Sequence, residues 1–147
     1  MSVGCVSELY LYLMEASRAI DGRVRAEVSK WNLGITEFYL LESLYLKGSQ
    51  TIQQIASYIS VSSGSMTYVI DKLEKRGLIY RNPCPKDRRA IHIEFTHEGK
   101  SLMDKIMFEH KELLEDIFKA LKSEDICTLI DILSKMKNPT EALDIEE

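Results

Sequence analysis

The chain has 147 residues, 45% of them hydrophobic and 29% charged, and a formal net charge of −4. One domain's worth of chain with this much apolar material can bury its own core, which excludes wholesale disorder. No apolar run approaches the ~18 residues of a membrane span, and Glu8 and Glu15 interrupt any leader-like stretch. The three cysteines, Cys5, Cys84 and Cys127, are odd in number and far apart, which suits a reducing cytoplasm rather than a disulfide framework.

From about Glu8 to Lys30, apolar residues recur every three or four positions (Leu9, Leu13, Ala16, Ile20, Val24, Val28), the stripe of a long amphipathic helix. Asn32–Gly34 break it. Thr36 is the expected cap of a second helix carrying Phe38, Leu41, Leu44 and Tyr45 and closed by Gly48. Thr51-Ile52-Gln53-Gln54 has the form of a capping box and opens a short helix to Ile59, with a one-residue strand pairing allowed near Gln50. After a tight turn over Ser60–Ser63, a fourth helix runs from Ser62 to Arg76 with Met66, Val69, Ile70 and Leu73 inward and Gly77 as its stop.

The period then changes to alternation. Leu78–Arg81 and Ile91–Phe95 read as strands, joined by Asn82-Pro83-Cys84-Pro85-Lys86-Asp87-Arg88-Arg89. Two prolines exclude a helix or a central strand in that segment, so it forms a protruding hairpin loop with charge at its tip. Thr96 caps a long helix to about Leu121, with Leu113, Leu114, Ile117, Phe118 and Leu121 apolar. Ser123 caps a last one, striped by Ile126, Leu129, Ile130 and Leu133 and ended by Asn138-Pro139. The terminal helices carry more apolar stripe than a compact central lobe can cover, which points to burial by a partner copy.

The net charge conceals a division. Residues 51–89 hold seven Lys/Arg against three acids, a local +4, and the rest of the chain sums to −8. One basic face on an acidic body can approach phosphate while the remainder repels it. Two short helices joined by a tight turn form a helix-turn-helix, whose second helix enters a major groove N-terminus first. Its outward side offers Gly64, Thr67, Tyr68, Asp71 and Lys75, with Ser62, Ser63, Ser65 and Lys72 at its start and flank. Hydroxyls and a glycine permit close backbone approach, and a helix N-terminus attracts phosphate. The hairpin is then a wing, with Lys86, Arg88 and Arg89 placed for a narrow, electronegative minor groove and Asp87 placed to hold a neighbouring arginine by a charge-assisted pair.

Residues 33–100 resemble the core of MarR-family regulators. The landmarks are Thr36-x-x-Tyr39, Ser63-Gly64-Ser65-Met66-Thr67, Asp71-Lys72-Leu73-Glu74-x-x-Gly77-Leu78-Ile79-x-Arg81, Asp87-Arg88-Arg89 and Thr96-x-x-Gly99. The expected fold class is mainly α (α+β), a single domain over 1–147. Within it, 33–99 form the winged helix-turn-helix DNA-binding lobe, and the helices of 1–32 and 100–147 form a dimerisation lobe. The resemblance implies a triangular homodimer, a palindromic operator, and release by a small ligand or by thiol oxidation. The expected function is that of a DNA-binding transcriptional regulator acting as a cytoplasmic repressor. The alternative is a winged-helix protein–protein module without specific DNA readout, disfavoured by the local +4 and the paired wing arginines.

Candidate effector residues are Tyr12, Arg18, Tyr39 and Tyr45, from the helices expected to meet at the junction of the two lobes; tyrosines give a small aromatic effector an apolar wall with a polar tip. Of the cysteines, Cys84 stands in the exposed wing near Lys86 and two arginines, a setting that favours its thiolate and makes it the candidate redox residue. Cys5 is expected at a frayed end. Alignment with the organic-hydroperoxide branch of the family puts Tyr10, not a cysteine, at that branch's reactive position. Cys127 is expected to pack as a small hydrophobe. The segments Thr51–Ile55 and Pro83–Arg89 are similar to the branch that answers to quinones and related aromatic electrophiles. His92, His97 and His110 form no helical i,i+4 pair and read as lone surface histidines, so no metal is expected. No nucleophile elbow or phosphate loop suggests an enzyme, and no cofactor is expected.

Overall fold

The structure, a computed structural model, describes residues 3–59, 63–87 and 89–137. The helices are α1 (Val3–Ser29), α2 (Ile35–Lys47), α3 (Ile52–Ile59), α4 (Ser63–Lys75), α5 (His97–Phe118) and α6 (Ser123–Lys137). Three short strands, β1 (Gln50–Thr51), β2 (Ile79–Pro83) and β3 (Ile91–Phe95), lie among them. The strands form one antiparallel sheet in the order β1-β3-β2, with Gln50 opposite Ile93 and Arg81 opposite Ile93 from the other side. Pro83 therefore closes an edge strand, where its missing N–H costs no ladder bond.

Two helix ends follow one design. At the end of α1, Asn32 takes a left-handed φ of 55° while Asn32 N–H donates to the Ser29 carbonyl and Leu33 N–H to the Val28 carbonyl. At the end of α4, Gly77 (φ 72°) donates to Glu74 and Leu78 donates to Leu73. In both, a left-handed residue lets the last carbonyls find donors while an apolar residue just past the turn packs back under the helix. The start of α2 departs from expectation. Gly34, not Thr36, is the N-cap, and Glu37 supplies the cap by accepting the Gly34 N–H at 3.2 Å. The third helical residue can reach back in this way when its side chain is a carboxylate.

The core gathers Phe38 and Leu41 of α2, Ile55 of α3, Met66 and Ile70 of α4, and Ile93 of β3, all at 0% exposure. Thr96 ties α5 to this core by donating to the Gly77 carbonyl and accepting the Gly99 N–H. Gly99 packs directly on the α4–β2 turn, where a Cβ would lie 1.8 Å from the Leu78 carbonyl oxygen. The chain forms two compact units, Met1–Lys111 and Glu112–Glu147. The first thus takes in α1 and most of α5 as well as the expected 33–99 lobe. Among the described residues no helix is long and apolar enough to cross a membrane.

Candidate nucleic-acid interface

The helix-turn-helix begins with a reciprocal cap. Thr51 N–H donates to Gln54 Oε1 at 2.9 Å and Gln54 N–H to Thr51 Oγ1 at 3.2 Å, as the Thr-x-x-Gln spacing requires. Met66, Val69, Ile70 and Leu73 anchor α4 from below. Gly64, Ser65, Thr67, Tyr68, Asp71 and Lys75 are left exposed, Tyr68 at 72%. A methyl on Gly64 would meet open space, so close approach of another molecule, not internal packing, is what its size permits here. Ser62 and the side chain of Ser63 lie outside the described residues.

The wing turns tightly between Cys84, whose N–H donates to the Ala90 carbonyl at 2.9 Å, and Ala90, whose N–H donates to Asp87. Asp87 supports this turn by accepting the backbone N–H of Arg89 at 3.0 Å. Arg88 lies outside the described residues; Lys86 and Arg89 are exposed. Arg89 and Asp87 line a cavity of about 560 Å³ together with Thr67 of α4, Thr51, and Gln53 of α3. One concavity therefore joins a wing arginine to the middle of α4 and the start of α3. Hydroxyl, amide and guanidinium groups line it beside the Asp87 carboxylate, and the first three are groups that bind phosphate oxygens.

Lys72 has a partner that the sequence did not announce. Its ammonium pairs with Glu37, a carboxylate 7% exposed at the start of α2, and Glu37 raises its pKa by hydrogen bond and by charge. Arg76, one turn on, donates to the Asn32 carbonyl at 2.7 Å and stands 3.9 Å from the same Glu37. Lys72 and Arg76 thus fasten α4 to the α1–α2 corner, while the Lys72 side chain stays 52% exposed. On another side of α4, Arg81 of β2 donates to Asp71 at 2.6 Å and to Glu74 at 2.9 Å. Burial opposes the Arg81 charge, but these two hydrogen bonds more than offset it and its pKa is raised. Nothing in the sequence marked Arg81 beyond its place in the motif. Glu37 could have been found from the Gly34-x-x-Glu37 spacing.

The family model for "MarR family" matches residues 33–91. The HTH-type transcriptional regulator MhqR of Bacillus subtilis is 35% identical over 129 residues, 88% of this chain and 89% of that protein. The chain belongs to the MarR family. It is accordingly a DNA-binding transcriptional regulator and not an enzyme, which decides against a protein–protein module. Two solved structures share its fold at lower identity. A cysteine-to-serine mutant of Escherichia coli MarR, complexed with operator DNA, superposes with a TM-score of 0.78 at 20% identity, over 92% of this chain and 99% of that one. BpsR of Bordetella bronchiseptica, whose DNA binding is regulated by 6-hydroxynicotinic acid, does so with a TM-score of 0.75 at 19% identity, over 93% and 94%.

The four candidate effector residues have different surroundings. Tyr12 (64% exposed) and Arg18 are exposed on α1. Tyr39 lies half-buried beside Asp21 of α1, and burial, then the charge of Asp21, raises its pKa. Tyr45 faces α5, donating to Asp104 at 3.1 Å beneath the Lys100 ammonium. His110 corrects the sequence reading: it is buried, not on the surface. Gly99, Met103, Ile106 and His110 form one inward stripe of α5, and the imidazole lies 3.1 Å from Glu27 of α1, 4.0 Å from Glu42 of α2, and against the Phe38 ring. Burial raises the Glu42 pKa, and the nearby His110 lowers it. No cluster of three ligating side chains that could hold a metal occurs among the described residues. Cys84 is half-buried rather than exposed, since its backbone closes the wing hairpin. Cys127, expected to be packed, is exposed, as is Cys5.

Proposed function

We propose that the chain is a cytoplasmic repressor that binds a palindromic operator as a homodimer and leaves it when a small phenolic or aromatic molecule binds or when Cys84 is modified. The observation that carries the DNA-reading part is the shared cavity of Thr51, Gln53, Thr67 and Arg89, because it sets a wing residue and α4 side by side where one duplex can meet both. Ser62, Ser63, Ser65, Thr67 and Tyr68 read the major groove; Lys86, Arg88 and Arg89 take the flanking backbone and minor groove.

The homodimer is supported by apolar side chains that the chain leaves bare. Leu9, Tyr10 and Leu11 of α1 are more than half exposed, and Leu129, Ile130 and Leu133 of α6 are 41–63% exposed. The tyrosines of α1 and α2 support an aromatic effector, as does the hydroxylated aromatic acid that regulates BpsR. Release needs only a difference in affinity between two conformations; a tenfold loss of operator affinity corresponds to about 1.4 kcal/mol.

The deciding experiment is a salt titration of binding to a duplex recovered by selection from a random pool. A dimer neutralising about 6–10 phosphates gives a slope of log K against log[salt] of about −5 to −9. A slope near zero would remove these residues from any DNA contact.

A further inference from the structure

We propose that Arg81 is a positioning residue for DNA readout: its guanidinium clamps the wing strand β2 to the recognition helix α4 through Asp71 and Glu74, and so sets where the wing tip stands relative to that helix. Arg81 has this role only if α4 and the wing contact DNA as proposed above.

The geometry carries it. Asp71 and Glu74 are three residues apart on α4 and therefore share a face. Arg81 Nη2 reaches Asp71 Oδ1 at 2.6 Å and Nη1 reaches Glu74 Oε2 at 2.9 Å, so each arm of the fork holds a different carboxylate. The arginine side chain is the least exposed of the three, at 26% against 55% and 41%. Between α4 and β2 the chain makes a single turn at Gly77, and β2 is paired along its length with β3. The clamp at Arg81, two residues into β2, ties this strand by its side chain directly to α4, and so couples the helix to the wing that β2 leads into.

This coupling matters because the two reading elements engage different grooves of the same duplex, and an error at the base of the hairpin grows toward Arg89 at its tip. The chemistry also explains why the residue is arginine. A planar guanidinium can serve two carboxylates at fixed directions, whereas the ammonium of lysine is a point charge on a flexible stem. Exposed ion pairs of this kind add little to fold stability, so variants should fold and report on readout alone.

The test measures affinity for the selected duplex and for a random duplex, with full salt titrations, for wild type, Arg81→Lys and the double variant Asp71→Asn/Glu74→Gln. Thermal melts check folding. Arg81→Lys keeps the charge, so random-duplex affinity and salt slope should hold while the ratio of selected to random affinity falls about tenfold. The double variant removes two negative charges near DNA. Simple charge masking by Arg81 predicts tighter binding to both duplexes, whereas positioning predicts that the ratio falls as in Arg81→Lys. An unchanged ratio in either variant overturns the proposal, and so does equal loss on both duplexes. A wild-type slope near zero would instead remove the DNA-contact reading itself, and the two failures are distinguishable.

Discussion

The lobe that reads DNA and the ends of the chain are built from the same kind of apolar stripe, yet they end differently. In α2, α3 and α4 the stripe is covered, with Phe38, Leu41, Ile55, Met66, Ile70 and Leu73 all at 0% exposure. α1 shows both outcomes within one helix: Val24 and Val28 are buried at 6% and 1%, while Leu9, on the same repeat, is 58% exposed. α6 has no buried residue at all. Amphipathic spacing therefore decides that a segment will be helical with one apolar side, but not whether the same chain supplies the cover. The difference separates the parts that a single chain covers from those that the proposed dimer would bury.

The largest effect should come from breaking the covered side. Gly99→Ala forces a methyl into the Leu78 carbonyl, a backbone atom that cannot move without shifting the α4–β2 turn. We expect a loss of about 3 kcal/mol or more, read by denaturant unfolding. Wild-type stability in this variant would mean that α5 is not seated on the turn. Next in size is Glu37→Gln, which keeps the shape of the cap but removes the charge holding Lys72 and Arg76. A loss of about 1–3 kcal/mol is expected, because a buried carboxylate is exchanged for an amide that cannot satisfy the same donors. The single tryptophan, Trp31, lies at this corner and donates to Glu109 of α5 at 3.2 Å, so its fluorescence reports the change.

The smallest effect on folding should come from the bare side. Ile130→Asp introduces a charge at a position already 63% exposed. The unfolding transition of the DNA-reading lobe, followed by Trp31 at high dilution, should move by less than about 0.5 kcal/mol. Self-association measured by light scattering should nonetheless be lost, because a charge would be buried without a partner in the proposed dimer. A variant that loses folding stability but keeps its association would erase the contrast between covered and bare stripes.

Much of this was legible in the residues because the signals are short-ranged. Thr51 and Gln54 cap each other within four positions, and Gly77 stops α4 within one turn. Pro83 and Pro85 keep the wing out of any helix, and Thr96 opens α5. Each depends on backbone geometry that a few neighbouring side chains determine by themselves. The family and the helix-turn-helix with its wing followed from such signals in series.

What the tertiary structure alone decided is which charges meet. Lys72 had the residue type and place of a phosphate contact, and only the fold shows that Glu37, 35 residues earlier, also pairs with it. His110 looked solitary in sequence and is buried against Glu27, 83 residues away. Asp71 looked like an acid on a face meant for DNA until β2 brought Arg81 beside it and Glu74. The physical reason is common to all three. The reach of a side chain is a few ångströms, so its partner depends on which elements pack together, and packing is settled by the whole core rather than by local spacing.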